Sequence, residues 1–174
     1  MSSYFRLARF YLLLLGIFTL GRWLMGGLGK PYVEAHHVFS IVILTLLGSL
    51  FYGAFCRRWL GYRAAQAVLQ GVVLGLMSQV VILLSTLVSY GLGLETFFNH
   101  STALNVTELG DLTESGEPLR LAVSFGDALA NRLAGLVSGS IAAGVAGAIG
   151  WAMGALLPSK GHDPAPGLEP PEVS

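Results

Sequence analysis

Long runs of apolar residues, separated by short polar segments, dominate the pattern along this chain. The four longest runs cover residues 10–29, 31–56, 64–94 and 125–157. A helix of about 20 residues crosses the hydrocarbon core of a bilayer, and each run reaches that length. Backbone N–H and C=O groups find no water in lipid, so a spanning run must satisfy them internally as a helix. The pattern therefore predicts an all-α integral membrane protein, a bundle of four transmembrane helices.

The residues at the start of the first two runs indicate whether each run forms a helix of the mature protein and where that helix begins. Arg6 and Arg9 precede the first run, as in a signal peptide, but no A-x-A-like cleavage site follows it. Apolar residues also continue past Arg22 to Leu28, so we expect an uncleaved first helix. The second run starts at Pro31, and proline is favoured at the first position of a helix. We therefore expect the second helix to begin there.

Basic residues are distributed unevenly between the two sides of the predicted bundle. The positive-inside rule places the side that is richer in Lys and Arg in the cytoplasm. We therefore expect both termini to be cytoplasmic, in a protein of the cell (cytoplasmic) membrane. The side of the termini carries Arg6, Arg9, Arg57, Arg58, Arg63 and Lys160, and the other side carries Lys30, Arg120 and Arg132.

Two polar segments lie outside the predicted helices. The connection over residues 95–124 is acidic, which agrees with an external position; its carboxylates are Glu95, Glu108, Asp111, Glu114 and Glu117. Residues 158–174 contain five of the seven prolines, and such a segment has too few apolar side chains to form a core. We predict a transmembrane domain over residues 1–157 and a disordered Pro-rich cytoplasmic tail over residues 158–174.

Composition excludes several classes of protein. Only 11% of the residues are charged and the net charge is zero, whereas soluble domains are about 25% charged. An ordinary soluble domain, a disordered chain and a basic nucleic-acid-binding protein are excluded, and we expect no nucleic-acid partner. Cys56 is the single cysteine, so the chain forms no intrachain disulfide.

Small residues recur every four positions in the last run. Such a row leaves a groove into which another helix backbone can approach closely, and the third run carries a matching G-x-x-x-G pair. The pattern predicts tight helix packing, either within this bundle or against another subunit. The residues concerned are Gly135, Gly139, Ala143 and Gly147 in the last run and Gly71 and Gly75 in the third.

Polar residues inside the runs are the first candidates for a functional site. Arg22 and Asp127 lie at comparable depths toward the external side, and Asn131 follows one turn after Asp127. A buried charge is costly unless it is paired, so we hypothesise an Arg22–Asp127 ion pair. Arg132 points away from Asp127 and Asn131 on a helical wheel. Gln79, in the third run, either makes an interhelical hydrogen bond or lines a polar pathway.

A second candidate site opens the second run. Glu34 and His37 are i, i+3 neighbours, so they share one face of a helix and could hold a divalent metal. His36 points elsewhere, and adjacent histidines at one helix end are poorly placed to ligate a single haem from both sides. The alternative is a polar helix start, with Glu34 stabilised by the helix dipole.

No catalytic motif stands out, so we expect a protein that is not an enzyme and needs no cofactor. The leading interpretation is a structural or accessory membrane protein that acts through helix–helix contacts in a homo-oligomer or a membrane complex. The alternative is a small transporter or channel with an outward-facing polar site formed by Arg22, Glu34, His37 and Asp127. A metal- or redox-linked membrane protein is the third interpretation. In each case the lipid bilayer is the expected surrounding.

Overall fold

The computed structural model describes residues 7–108, 111–113 and 120–157. These ranges contain helices and no β-sheet. The helices are α1 (Arg9–Gly27), α2 (Tyr32–Ala35), α3 (Ile41–Leu60), α4 (Ala64–Gly91) and α5 (Phe125–Gly154), with one 3₁₀ turn at Thr102–Leu104. Four of them, all except α2, are long and apolar enough to span a membrane, as the sequence predicted. The predicted tail and the charges of Arg6, Glu114, Glu117 and Lys160 lie outside the described residues.

The long helices run alternately up and down, which gives the bundle two distinct ends. One end carries α2 and the connection between α4 and α5, and we call it the loop end. The other carries the short turn between α3 and α4, and we call it the hairpin end. There, Arg57 lies 3.9 Å above the ring of Trp151, and the Trp151 indole N–H donates to the Tyr62 carbonyl at 2.7 Å. These contacts fix the hairpin to the end of α5.

Small residues let α4 and α5 pack backbone against backbone. A Cβ added at Gly71 would lie 2.3 Å from the carbonyl oxygen of Ala143, and one at Gly75 would lie 2.9 Å from the Ala143 Cβ. On α5, a Cβ at Gly147 would lie 2.7 Å from the Ala67 carbonyl oxygen. Real Cβ atoms do not approach so closely, so these positions need glycine for this helix separation.

A second face of α5 makes the same kind of contact with α3. A Cβ at Gly150 would lie 2.0 Å from the Leu50 carbonyl oxygen, and one at Gly154 would lie 2.8 Å from that of Ala54. Both small-residue faces of α5 are therefore packed within the chain, and α3, α4 and α5 form one close-packed unit.

The remaining two glycines of the predicted row meet a side chain. A Cβ at Gly139 would lie 2.2 Å from the Nε2 of Gln79, and one at Gly135 would lie 3.2 Å from its Oε1. Gln79 therefore occupies the space that Gly135 and Gly139 leave open.

α1 is the least packed of the spanning helices. Its contacts with α3 and α4 run through a narrow stripe that includes the buried residues Tyr11 and Leu15. The opposite face of α1 is exposed and includes Leu13, Leu20 and Leu24. An exposed apolar surface of this kind is what a helix in contact with lipid presents.

The second long helix begins later than the sequence predicted. The helix expected from Pro31 is interrupted after one turn: Phe39 has a left-handed backbone, with φ of 54°, and α3 starts only after Ser40. The Ser40 hydroxyl caps α3 by accepting from the Ile43 N–H at 3.4 Å. The ring of Phe39 packs directly on Gly21 of α1. This contact between distant segments stabilises a turn that local sequence preferences disfavour.

Replacing a packed glycine should destabilise the bundle. Gly150→Ala places a methyl group against a backbone carbonyl that no side-chain rotation can move, and overpacking of this kind costs about 1–3 kcal/mol. We expect a lower unfolding temperature in detergent, followed by circular dichroism. Gly16→Ala is the matched control, because nothing lies within 4 Å of a Cβ at that position. An equal unfolding temperature for the two variants would contradict the packing described here.

Candidate functional site

Arg132, in the second turn of α5, connects three parts of the loop end. Its Nε donates to the Thr86 hydroxyl of α4 at 3.0 Å. Its Nη1 donates to the Ala103 carbonyl at 3.1 Å and its Nη2 to the Phe98 carbonyl at 2.6 Å. All three acceptors are neutral, so the guanidinium is hydrogen-bonded but its positive charge is not balanced by them.

Arg22 of α1 approaches the same region from another helix. Its Nη2 donates to the Tyr32 hydroxyl at 3.2 Å, and its Nη1 donates to the His36 carbonyl at 3.4 Å. Its guanidinium carbon also lies 5.7 Å from the ring centroids of Tyr32 and Phe97 and 5.8 Å from that of Phe98. Aromatic faces attract cations, so neutral groups again hold this charge.

Arg22 and Arg132 line one cavity of about 170 Å³ at the loop end. Its floor includes the buried side chains of Ile41 and Ile82. None of the described residues that line it is acidic. The other lining residues are Tyr32, His36, Ser40, Val42, Phe97, Phe98 and Ala103. Two cations thus converge on a small space that has no carboxylate in its described walls.

An open groove of about 620 Å³ adjoins this cavity and shares Tyr32 and His36 with it. The groove carries the acidic residues Glu108 and Asp111. The loop end therefore has a cationic compartment and an acidic one, with Tyr32 and His36 as the common wall.

His100 supports this wall from the loop. Its ring stacks on Tyr32 with centroids 4.3 Å apart and planes 14° apart. The Thr102 N–H donates to its Nδ1 at 3.2 Å, so that nitrogen carries no proton in this arrangement. Burial, followed by the positive charges of Arg120 and Arg22, lowers the pKa of His100 to about 4. The histidine is therefore neutral at pH 7.

A polar column continues below the Ile41–Ile82 floor toward the hairpin end. The Tyr11 hydroxyl bonds to those of Thr45, at 2.9 Å, and Ser78, and Thr45 donates to Ser78 at 2.8 Å. Further along lie Ser49, one turn beyond Thr45 on α3, and Gln70, two turns beyond Ser78 on α4. Both side chains are fully buried, and neither the Ser49 hydroxyl nor the Gln70 amide has a hydrogen-bond partner among the described residues.

The hypothesised Arg22–Asp127 pair is not formed. Asp127 lies in the exposed first turn of α5. Its Oδ2 accepts from the Ser124 hydroxyl at 2.6 Å, and its backbone N–H donates to the Ser124 Oγ at 3.1 Å. This reciprocal cap satisfies the carboxylate at the helix N-terminus. Asn131 is half-buried on α5 and does not line the cavity.

The proposed metal ligands Glu34 and His37 are both exposed. The His37 ring packs against that of His36, with centroids 3.6 Å apart. Within the described part of the chain, no group of three or more His, Cys, Asp or Glu side chains is placed to hold a metal ion. The structure thus brings only Arg22, of the predicted polar-site residues, into the cavity.

Sequence reasoning missed the role of Arg132. It lies in a predicted span, and an arginine in a span is a functional candidate in its own right. On the helical wheel it points away from Asp127, and its actual partners include two backbone carbonyls of the loop.

Comparison with known proteins adds no relative. No protein-family model, no curated protein and no solved structure matches this chain.

Removing the Arg132 guanidinium should loosen the loop end. Arg132→Leu removes the charged donor from the Ala103 carbonyl and from the Phe98 carbonyl, which keeps only the Thr86 hydroxyl at 3.3 Å. Lost bonds to a charged group cost about 2–4 kcal/mol in total. We expect faster hydrogen exchange at amides of residues 98–104. Arg9→Leu, which removes an exposed arginine from α1, should leave these rates unchanged. Unchanged protection in the Arg132 variant would show that the loop does not depend on this side chain.

Acid should destabilise the same loop through His100. The folded pKa of about 4 lies below the ordinary value of 6.5, so the unfolded loop takes up the proton first. The stability of the loop is therefore not reduced by His100 above about pH 6.5. It falls as the pH drops from there toward 4, by at most about 3 kcal/mol. Hydrogen exchange at Thr102, corrected for the intrinsic pH dependence, should report this loss. His100→Gln should abolish the pH dependence; a persistent dependence would assign it to another group.

Proposed function

We propose that this protein is a non-enzymatic integral membrane protein that carries small anions across the cell membrane through its four-helix bundle. The termini would be cytoplasmic and the loop end external. One observation carries the proposal: Arg22 and Arg132 line a single cavity whose described walls contain no carboxylate. This is the transporter alternative from the sequence, with Arg132 replacing Glu34, His37 and Asp127 as the partner of Arg22.

Uncompensated charge is the physical reason for choosing an anion. Moving a cation out of water costs free energy that an opposite charge normally offsets. Arg120, by comparison, lies 3.6 Å from the carboxylate of Glu95. Among the residues that the structure describes, Arg22 and Arg132 contact neutral groups only, so an anion entering the cavity would supply the missing charge.

The polar column below the cavity favours transport over binding alone. Hydroxyl groups of Tyr11, Thr45 and Ser78 lie in the middle of the bundle, and the unpartnered polar atoms of Ser49 and Gln70 follow. Buried polar groups without partners are costly in a purely structural core. A pathway in which a passing ion or its water uses these groups accounts for their presence.

The charge distribution supports the proposed orientation. Arg57, Arg58 and Arg63 lie at or beside the hairpin end, whereas the loop end carries Lys30 and Arg120 outside its long helices. The positive-inside rule then assigns the hairpin end to the cytoplasm.

The leading interpretation from the sequence, a structural subunit that acts through its small-residue helix faces, has less to support it. Those faces of α5 contact α3 and α4 of the same chain, so they leave no such groove for a partner. A role in assembly and a metal- or redox-linked role both remain predictions from the sequence.

Flux through reconstituted protein tests the proposal. Proteoliposomes containing the full chain should develop a membrane potential, or exchange labelled anion, in a gradient of chloride, sulfate, acetate or isobutyrate. Arg22→Gln removes one of the two cavity charges, and we expect at least about a tenfold loss of the rate, equivalent to about 1.4 kcal/mol in the barrier.

Arg9→Gln is the matched control, because it removes an arginine from the exposed start of the same helix. It should transport at the wild-type rate. If the wild-type protein moves none of these anions, or if the two variants lose activity equally, the transport proposal is wrong.

A further inference from the structure

We infer that the anion taken up by the cavity is a small carboxylate with a compact apolar body, of the size and shape of isobutyrate. The inference rests on the proposed anion site and names the class of its ligand. Three properties of the cavity lead to it: the free donors of the two arginines, the apolar walls and the volume.

The arginines have N–H donors left over for a carboxylate. A guanidinium has five N–H groups. Bonds to the described residues use one N–H on each Nη of Arg22, which leaves its Nε–H and one hydrogen on each Nη. Arg132 uses its Nε–H and one hydrogen on each Nη, so two N–H groups remain. Arginine binds carboxylates by two parallel N–H···O bonds from such groups.

The apolar walls disfavour sulfate and phosphate. Ile41, Val42 and Ile82 contribute hydrocarbon to the lining, and they cannot hydrogen-bond to an oxygen. A tetrahedral oxyanion has oxygens on every side, so those facing the isoleucines would lose their water without gaining a donor. A carboxylate has both oxygens at one end and can direct its hydrocarbon toward these walls.

The volume limits the length of that hydrocarbon. A cavity of about 170 Å³ holds several water molecules, which suits a short-chain acid. Isobutyrate, with a branched body of three carbons, is the representative that we choose. Acetate would cover less of the Ile41–Ile82 floor, and most of the chain of a fatty acid would extend beyond the cavity.

Trp23 provides a signal for binding in the purified protein. Its ring centroid lies 5.9 Å from that of Phe98, and Phe98 lines the cavity. Titrating the full chain in detergent at pH 7.5 should therefore change the tryptophan fluorescence. Trp23→Phe should remove this change while thermal stabilisation by the ligand persists.

We expect isobutyrate to bind about tenfold more tightly than acetate, because two further carbons leave water. Isobutyramide, of the same shape without the charge, should bind at least about tenfold more weakly than isobutyrate. Chloride, sulfate and laurate should also be weaker ligands. Arg22→Gln should weaken isobutyrate binding at least about tenfold, and Arg9→Gln should not.

Ile82→Ala tests whether this side chain sets the size of the ligand. A purely structural role of Ile82 would not change which acid binds most tightly. Shortening this side chain deepens the floor, so the preferred ligand should shift from isobutyrate to a longer acid such as hexanoate, while Arg22 and Arg132 remain. If this variant binds poorly because it folds poorly, Val42→Ala tests the same wall from an exposed position.

The outcomes separate this inference from the proposed function. Arg22-dependent binding of chloride or sulfate that matches or exceeds that of isobutyrate would overturn the ligand class and leave the anion site standing. Tighter binding of laurate would overturn the size limit. Selective isobutyrate binding without flux would support the ligand class and contradict transport. If no anion binds, both proposals are wrong.

Discussion

The bonds of the Arg132 guanidinium determine the form of the loop end. One side chain from α5 donates to the Thr86 hydroxyl on α4 and to the carbonyls of Phe98 and Ala103 in the loop. The loop thus lies across the bundle and encloses a space next to Arg22, instead of extending from the helices. Because every acceptor is neutral, the interaction that builds the cavity also leaves it positively charged.

This arrangement requires a rigid base, and close packing in α3, α4 and α5 provides it. Glycines on α5 bring its backbone against the carbonyls of Leu50 and Ala67 on the two neighbouring helices. Such contacts are sensitive to a displacement of a fraction of an ångström, because packed interiors deform little. Arg132 projects from the same helix, so its position relative to Thr86 is fixed by the packing below it.

The sequence predicts the four long helices well, because hydropathy over some 20 residues is a local property. The sequence does not predict features that depend on contacts between residues far apart in the chain. The turn at Phe39 is stabilised by Gly21, on another helix, so the helix expected from Pro31 starts instead at Ile41. Arg132 bonds to backbone carbonyls of the loop. Because every residue has a backbone carbonyl, no sequence motif indicates which ones an arginine will bind. The expected Arg22–Asp127 pair fails because a nearer partner, Ser124, already caps that carboxylate.

The sparse packing of α1 means that the two cavity arginines are held by different parts of the structure. Arg132 belongs to the close-packed unit, whereas Arg22 is carried by a helix whose outer surface is largely exposed. Arg22 is attached to the loop end by its bonds to Tyr32 and His36, and α1 is held there by the contacts of Gly21 with Phe39 and of Gly26 with the backbone of Thr96 and Phe97. The position of Arg22 in the cavity therefore depends on the loop end, whereas the position of Arg132 depends on the helix packing beneath it. The cation–π contacts of Arg22 with Phe97 and Phe98 add to this attachment, because the face of an aromatic ring attracts a cation. The loop that Arg132 holds in place thus also positions the second arginine.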